Sequence, residues 1–379
     1  MRYMKLSDFG QVIMGMSPSG ETYNEKGEGL PLLNGPTEFT STCPIPKLYT
    51  TDSKRECKVG DLFFCVRGST TGKMNWADQV FSIGRGVCAI RGKNTIDTKY
   101  IKYCIEQNLS GLLAIAGGGT FPNLKKDDIG NFEIPIINNR QRIVEVLSAY
   151  DDLIENNLKR IKVLEETAQN IYKEWFVNFR FPNYEHTEFD GVSGLPVGWE
   201  MKKVEDCIKV MKGKKPKKEY STIGENRILY LLVDVLERRE LRFTENESVQ
   251  LTSDGETLML MDGSRSGLVF KSLEGAIGST LAVFRIKNAV FGINYCFNYF
   301  KFREVEIISK NTGSAIPHAN KSYIYGMEIP IPSDEISTEF EKITSKIYQQ
   351  IEILSSQNQK LKEARDILLP RLMNRTIEV

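Results

Sequence analysis

The sequence predicts an α+β fold in which two similar globular units are each followed by one long helix. Three observations predict it. A set of short motifs occurs twice in the same order. Each set ends in a long stretch with apolar residues at alternating steps of three and four. The regions before those stretches are short apolar runs punctuated by Gly, Pro, Asn and Ser.

The duplication comes first because it organises everything else. Val-Ile-Met-Gly-Met-Ser-Pro at 12–18 returns as Val-Met-Lys-Gly-Lys-Lys-Pro at 210–216, and Arg-Gly-Ser-Thr-Thr-Gly at 67–72 returns as Asp-Gly-Ser-Arg-Ser-Gly at 262–267. Glu-Ile-Pro-Ile occurs at 133–136 and again at 328–331, so the copies lie about 195 residues apart. Two joined, non-identical copies suit a protein that reads two places on one long ligand.

Residues 1–137 form the first globular unit. Leu62–Val66 and Val87–Ile90 read as buried strands, and 98–108, with Ile101, Cys104 and Ile105, as a short helix. The Gly117–Asn123 run reads as a loop, because adjacent glycines cost too much entropy inside an element. Residues 138–179 then read as a helix with a seam at Leu147, Tyr150, Ile154, Asn157, Ile161, Leu164, Ala168, Ile171 and Trp175. Residues 180–198, with Pro182, Pro196 and three glycines, read as a linker. The second globular unit spans 199–333, with strands at 258–261 and 281–284.

A second long helix spans 334–376, its seam formed by Ile343, Ile347, Ile351, Leu354, Asn358, Leu361, Arg365, Leu368 and Leu372. Pro370 is expected to kink or end its last turn. Forty residues of helix span roughly 60 Å, more than a domain of ~140 residues is wide, so the seams call for a helical partner. Packed antiparallel, the two would hold the globular units at opposite ends of a rod. Asn157 and Asn358 on the seams either fix register and partner choice or are polar residues tolerated at a wet position.

Composition excludes several classes. No run of eighteen apolar residues exists, and the N-terminus meets Asp8 before any apolar signal core develops. Seven scattered cysteines without a C-x-x-C pair fit reduced thiols in the cytoplasm. The two histidines, His186 and His318, stand apart from any cysteine at metal-ligand spacing, so no metal is expected. Consecutive prolines beside Asp or Asn, which an adenine methyltransferase uses to hold a flipped base, do not occur among the fourteen prolines. The glycine run at 81–86 is followed by a strand-like run rather than a helix, and no phosphate-binding G-x-x-x-x-G-K-[ST] loop is present. Neither a catalytic centre nor a cofactor is therefore expected. The net charge of +1 hides a local cluster at Lys209, Lys212, Lys214, Lys215, Lys217 and Lys218, which suits either a phosphate-facing or a merely solvated surface.

The order of these features resembles the specificity subunit of type I restriction-modification systems. The residues that carry the resemblance are Lys5-Leu6-Ser7-Asp8 and Leu195-Pro196-Val197-Gly198-Trp199-Glu200, each opening a copy. With them go the loops from Gly118 to Pro122 and from Ser314 to Pro317, the doubled Ile-Pro-Ile, and Arg140-Gln141-Arg142-Ile143 at the head of the first long helix. The second copy has Glu339-Phe340-Glu341-Lys342-Ile343 where the family usually repeats Gln-x-x-Ile.

The resemblance implies two target recognition domains related by a pseudo-two-fold axis through an antiparallel coiled coil. It also implies a split, asymmetric double-stranded DNA target, two docked modification (methyltransferase) subunits and two restriction (motor-nuclease) subunits. A recognition protein linked to a DNA adenine methyltransferase and a coiled-coil scaffold that binds no DNA are the alternatives. Salt-dependent, sequence-preferring binding to duplex DNA separates DNA reading from the scaffold.

Within that frame, Arg67 and Arg265 in the matching loops are expected to face guanine. Ser69, Thr70, Thr71, Ser264 and Ser266 are expected at phosphates or base edges. Lys73, Lys212, Lys214, Lys215 and Lys217 are expected at phosphates, and Lys310, His318, Asn320 and Lys321 flank the second loop. Any one of these loops also suits an ordinary surface hairpin.

Overall fold

The computed structural model describes residues 2–40, 42–117, 122–238, 240–287, 291–313 and 316–378. The motif residues Gly118 to Phe121, with Ser314 and Ala315, lie outside the described residues. The chain divides into two compact units, Met1–Lys159 with Leu354–Val379, and Arg160–Ile353. Each is sheet-rich, and both long helices contribute to each.

In the first unit, Gly10–Met14, Val87–Gly92, Leu62–Cys65 and Met74–Trp76 form a four-stranded antiparallel sheet in that order. The central strands are apolar on both faces because both are covered. Leu62, Phe64, Cys88 and Ile90 enter one cluster, while Phe63, Val87 and Ala89 enter another. Alternation of side chains across a strand makes a continuous apolar run the natural sequence for that position. A second sheet orders Tyr23–Asn24, Leu48–Thr50, Leu30–Leu33 and Ser82–Ile83, its last pair parallel. Arg2–Lys5 pairs with Glu133–Ile136, and the Tyr100 hydroxyl donates to the Pro135 carbonyl at 2.8 Å.

The second unit repeats this plan. Ile208–Lys212, Leu281–Ile286, Thr257–Leu260 and Val269–Lys271 form the corresponding sheet in the corresponding order. Again alternate residues part company: Met259, Ala282 and Phe284 face one cluster, and Leu258, Leu281 and Val283 the other. Glu200–Lys203 pairs with Glu328–Ile331, and the Tyr295 hydroxyl donates to the Pro330 carbonyl, the counterpart of the Tyr100 bond. The smaller sheets differ at their edges. Leu251–Thr252 pairs on the side of the parallel strand Gly275–Ile277, whereas Tyr23–Asn24 pairs on the opposite side of its sheet. The copies share a frame and diverge at its rim.

The long helices are Arg140–Phe176 and Asp334–Met373. Within the first unit they run antiparallel. Asn157 Nδ2 donates to Asn358 Oδ1 at 3.0 Å, and Asp151 meets Arg365 at 2.6 Å. Ile143, Val144 and Leu147 share a cluster with Leu369, Leu372 and Met373. Within the second unit, Phe340 packs on Tyr172, Trp175 and Phe176 with ring centroids 4.9–6.3 Å apart. Leu147, Ile154, Asn157, Ala168, Leu354, Asn358 and Leu372 are buried. Tyr150, Ile161, Leu164, Ile171, Ile347, Ile351, Leu361 and Leu368 are only half-buried, where the seam reading expects them buried, because a pair of helices leaves part of each seam side chain open. Pro370 does not end its helix, which continues to Met373, so only the final turn is at issue. Between the long helix and the second sheet, Phe181 and Trp199 stack at 5.3 Å, so parts of 180–198 join the core of the second unit instead of forming a bare linker.

Candidate nucleic-acid interface

Each copy carries one glycine-flanked loop, at 66–73 and 261–268, and the two have the same backbone. Gly68 and Gly263 have φ of +85° and +111°, and Gly72 and Gly267 have +94° and +98°, conformations that side chains with a Cβ rarely adopt. Gly68 N–H donates to the Pro122 carbonyl (3.2 Å) and Gly263 N–H to the Pro317 carbonyl (2.9 Å). Gly72 N–H donates to Cys65 O (2.9 Å) and Gly267 N–H to Leu260 O (2.7 Å). A second segment lies alongside each loop: Asn123 bridges Arg67 and Gly117, and His318 bridges Asp262 and Thr312.

This register makes Asp262 the counterpart of Arg67. The two arginines thus share a loop but not a position, because Arg265 occupies the position of Thr70 in the shared backbone. Arg265 is ion-paired with Glu237, whereas no ion pair engages the exposed Arg67 or Lys73 among the described residues. Lys212 Nζ lies 2.7 Å from one oxygen of Asp262, and His318 Nδ1 lies 2.8 Å from the other. Burial pushes the Asp262 carboxyl up, but the hydrogen bonds and charge of Lys212 and His318 outweigh it and hold the group below the usual carboxylate range.

The remaining expected residues separate by environment. Ser69, Ser264, Lys214, Lys215 and Lys217 are exposed, and no ion pair holds those three lysines among the described residues. Thr70 is half-buried near the Cys65 thiol, and Thr71 donates to the Gly68 and Pro122 carbonyls, closing its own turn. Ser266 corrects an expectation. It is fully buried and bonded to the Asn311 amide at 2.8 Å, so its hydroxyl supports the loop and meets no external group. Asn320 caps the helix Lys321–Gly326 by accepting from Tyr323 N–H, while Lys310 and Lys321 lie over the rings of Tyr323 and Tyr325. Asp262 and Glu237 escape a search for cations. The aligned motifs already set Asp262 against Arg67, but an acidic residue is not what a phosphate-rich ligand leads one to expect.

Among the described residues no group of His, Cys, Asp and Glu is arranged to hold a metal ion, and no helix is long and apolar enough to cross a membrane. What the loops offer is a pair of geometrically equal frames carrying different hydrogen-bonding groups.

A comparison with known families matches the type I restriction modification DNA specificity domain twice, over residues 1–166 and 196–363. The chain is 26% identical to the type I restriction enzyme MjaIX specificity subunit of Methanocaldococcus jannaschii, covering 97% of this chain and 91% of that protein. It is 23% identical to the HindI specificity subunit of Haemophilus influenzae, over 69% and 73% of the respective chains. Among solved structures, the type I restriction-modification S subunit from M. genitalium shares the fold, with a TM-score of 0.57 and 16% identity over 97% of this chain and 94% of that one.

Proposed function

The chain belongs to the family of type I restriction modification DNA specificity domains, and from that premise we propose that it reads a split, asymmetric double-stranded DNA target. In this reading residues 1–137 and 199–333 are the two target recognition domains and each takes one half of the site. The observation that carries it is the pair of matching loops: one backbone, retained bond for bond, presents Arg67 in one copy and Asp262 in the other. A homodimer would repeat one chemistry and demand a palindrome, whereas a divergent tandem reads two unlike half-sites.

Arg67 would take a guanine edge, with Ser69, Thr70 and Ser264 at nearby phosphates or base edges. Lys73, Lys214, Lys215 and Lys217 would neutralise phosphates and give affinity without sequence information, while Lys212 stays with Asp262. Lys310, His318, Asn320 and Lys321 would flank the second contact. The paired long helices would set the length of the unread spacer and dock two modification subunits, with two restriction subunits completing the complex. The chain itself would be non-catalytic and would act in the cytoplasm, where its DNA lies.

The test replaces residues 1–137 by the corresponding segment of a relative and maps methylation by the complex assembled with modification subunits. One half of the target should change while the other stays. A change in both halves contradicts this division of labour, and a complex without any sequence preference supports a scaffold instead.

A further inference from the structure

Three coordinated differences separate the equivalent loops. Asp262 stands where the first copy has Arg67, and His318 stands where it has Asn123. Lys212 ends the strand Ile208–Lys212, as Met14 ends Gly10–Met14, and the following Gly213 and Gly15 N–H groups donate to Leu281 and Val87 in the same way. The backbone around all three positions is unchanged. Gly117 and Asn123 exchange hydrogen bonds of 3.1 and 2.8 Å, and Thr312 and His318 exchange ones of 2.9 and 2.8 Å. Leu124 N–H donates to Val66 O at 3.0 Å, and Ala319 N–H to Met261 O at 2.8 Å.

A frame so closely kept aims residue 67 and residue 262 at equivalent points of whatever each loop meets. We propose that Asp262 is a specificity-determining residue of the second loop, an acceptor counterpart of Arg67 that takes the exocyclic amine of cytosine in the major groove. The inference rests on the DNA-reading role proposed above and names a residue and a base for it.

Three physical points support the assignment. A carboxylate accepts from cytosine N4, whereas a guanidinium donates to guanine O6 and N7, so reversing the residue at one position reverses the base it selects. A bare carboxylate would be repelled by the phosphates on either side of the groove. Lys212 offsets that charge at one oxygen, His318 Nδ1 holds the other, and each oxygen keeps a lone pair for an incoming amine. The Asp262 side chain retains 25% exposure despite both partners, so it is anchored without being covered. Lys212 and His318 are then positioning residues for Asp262.

The experiment uses the full chain assembled with modification subunits and selects bound duplexes from a randomised library. The wild-type complex should yield a split consensus, and failure to do so overturns the DNA-reading role and this inference together. Given that consensus, Asp262→Asn should lower the cytosine preference at one base pair of the second half-site by roughly tenfold. Asp262→Arg should select guanine there, and Asp262→Glu should retain cytosine. The first half-site should stay unchanged in all three. A consensus unchanged at every position, with affinity altered uniformly, overturns the inference and leaves Asp262 as a mere anchor for Lys212. If the Asp262 variants fail to fold, Arg67→Asp tests the same equivalence in the first loop. Guanine replaced by cytosine at one base pair supports it, and an unchanged base there overturns it.

Discussion

Asn157 donates its amide to Asn358 at 3.0 Å between two helices, where each is 6% exposed, and Asn358 donates onward to the Ile154 carbonyl at 3.4 Å. Two buried amides that satisfy one another are cheap; one alone is not. Replacing Asn358 by Leu should leave the Asn157 amide without its partner and lower stability by about 1–3 kcal/mol. The double Leu variant should recover most of that loss, because an apolar pair of similar volume needs no hydrogen bond. The pair would then lose its hold on register, since a polar contact on a seam is satisfied in only one alignment. Urea midpoints of the single and double variants check the order. A double variant no more stable than the single would contradict the coupling.

A second joint between the same helices is ionic. Asp151 accepts from Arg365 (2.6 Å), Lys102 (3.0 Å) and the Tyr103 hydroxyl (2.8 Å). Burial pushes its carboxyl up, yet the Lys102 and Arg365 charges and hydrogen bonds prevail and hold it below the ordinary aspartate value. A depressed carboxylate contributes stability above its unfolded value, near pH 3.9, and loses it as pH falls through the folded value. The unfolding midpoint should therefore drop on acidification below about pH 4, and Asp151→Asn should flatten that drop. At neutral pH the variant should lose about 1.5–3 kcal/mol, the range for a hydrogen bond to a charged group.

Much of the frame is legible in the sequence because backbone geometry demands particular residues. Gly68 and Gly263 hold positive φ, and Pro135 and Pro330 sit in edge strands under a tyrosine hydroxyl, so each signature recurs wherever its contact does. The heptad spacing likewise gives part of the buried face of each long helix, while Tyr172, Phe176, Phe340 and Leu369 are buried off that seam against the globular units. It does not give the partner, which is why Asn157 and Asn358 read as two seam residues and not as one bond. The candidate site is less legible for the same reason. Arg67 and Arg265 look alike by residue type, but the pairing of Arg265 with Glu237 and the burial of Ser266 under Asn311 come from segments remote in sequence. Local spacing carries no information about either.

Glu341 in the second long helix shows how the copies solve one problem differently. Its carboxylate accepts from the N–H groups of Tyr295 (2.8 Å) and Asn294 (3.2 Å), capping a helix whose preceding residue is Gly292. In the first copy the cap comes from Asn94, which accepts from Asp97 N–H at 2.9 Å, and Asp97 then meets Arg140 at 3.0 Å. A β-carbon at position 292 would overlap the Glu341 side chain. Gly292→Ala should displace that cap and cost about 1 kcal/mol, and combining it with Glu341→Ala should add little further loss. Thermal melting of the two singles and the double checks the coupling, and fully additive losses would refute it.

The last prediction separates affinity from specificity within the proposed DNA role. Lys215 is an exposed cation without an ion pair among the described residues, on a segment rich in lysine. A phosphate contact releases counterions whatever the base sequence, so Lys215→Ala should weaken binding of the assembled complex equally on all duplexes. The slope of log affinity against log salt should fall by about one. Arg67 projects from a turn fixed by Gly68 and Gly72, so the start of its side chain is set while its exposed guanidinium is left to meet a base edge. A bidentate guanidinium distinguishes guanine from other bases by about 1–3 kcal/mol, so Arg67→Ala should relax one position of the first half-site and leave the rest of the consensus intact. Titrations on matched and single-substituted duplexes at several salt concentrations distinguish the two behaviours. If Arg67→Ala instead weakened every duplex alike, Arg67 would be a phosphate contact, and base selection in the first copy would have to come from elsewhere in residues 1–137.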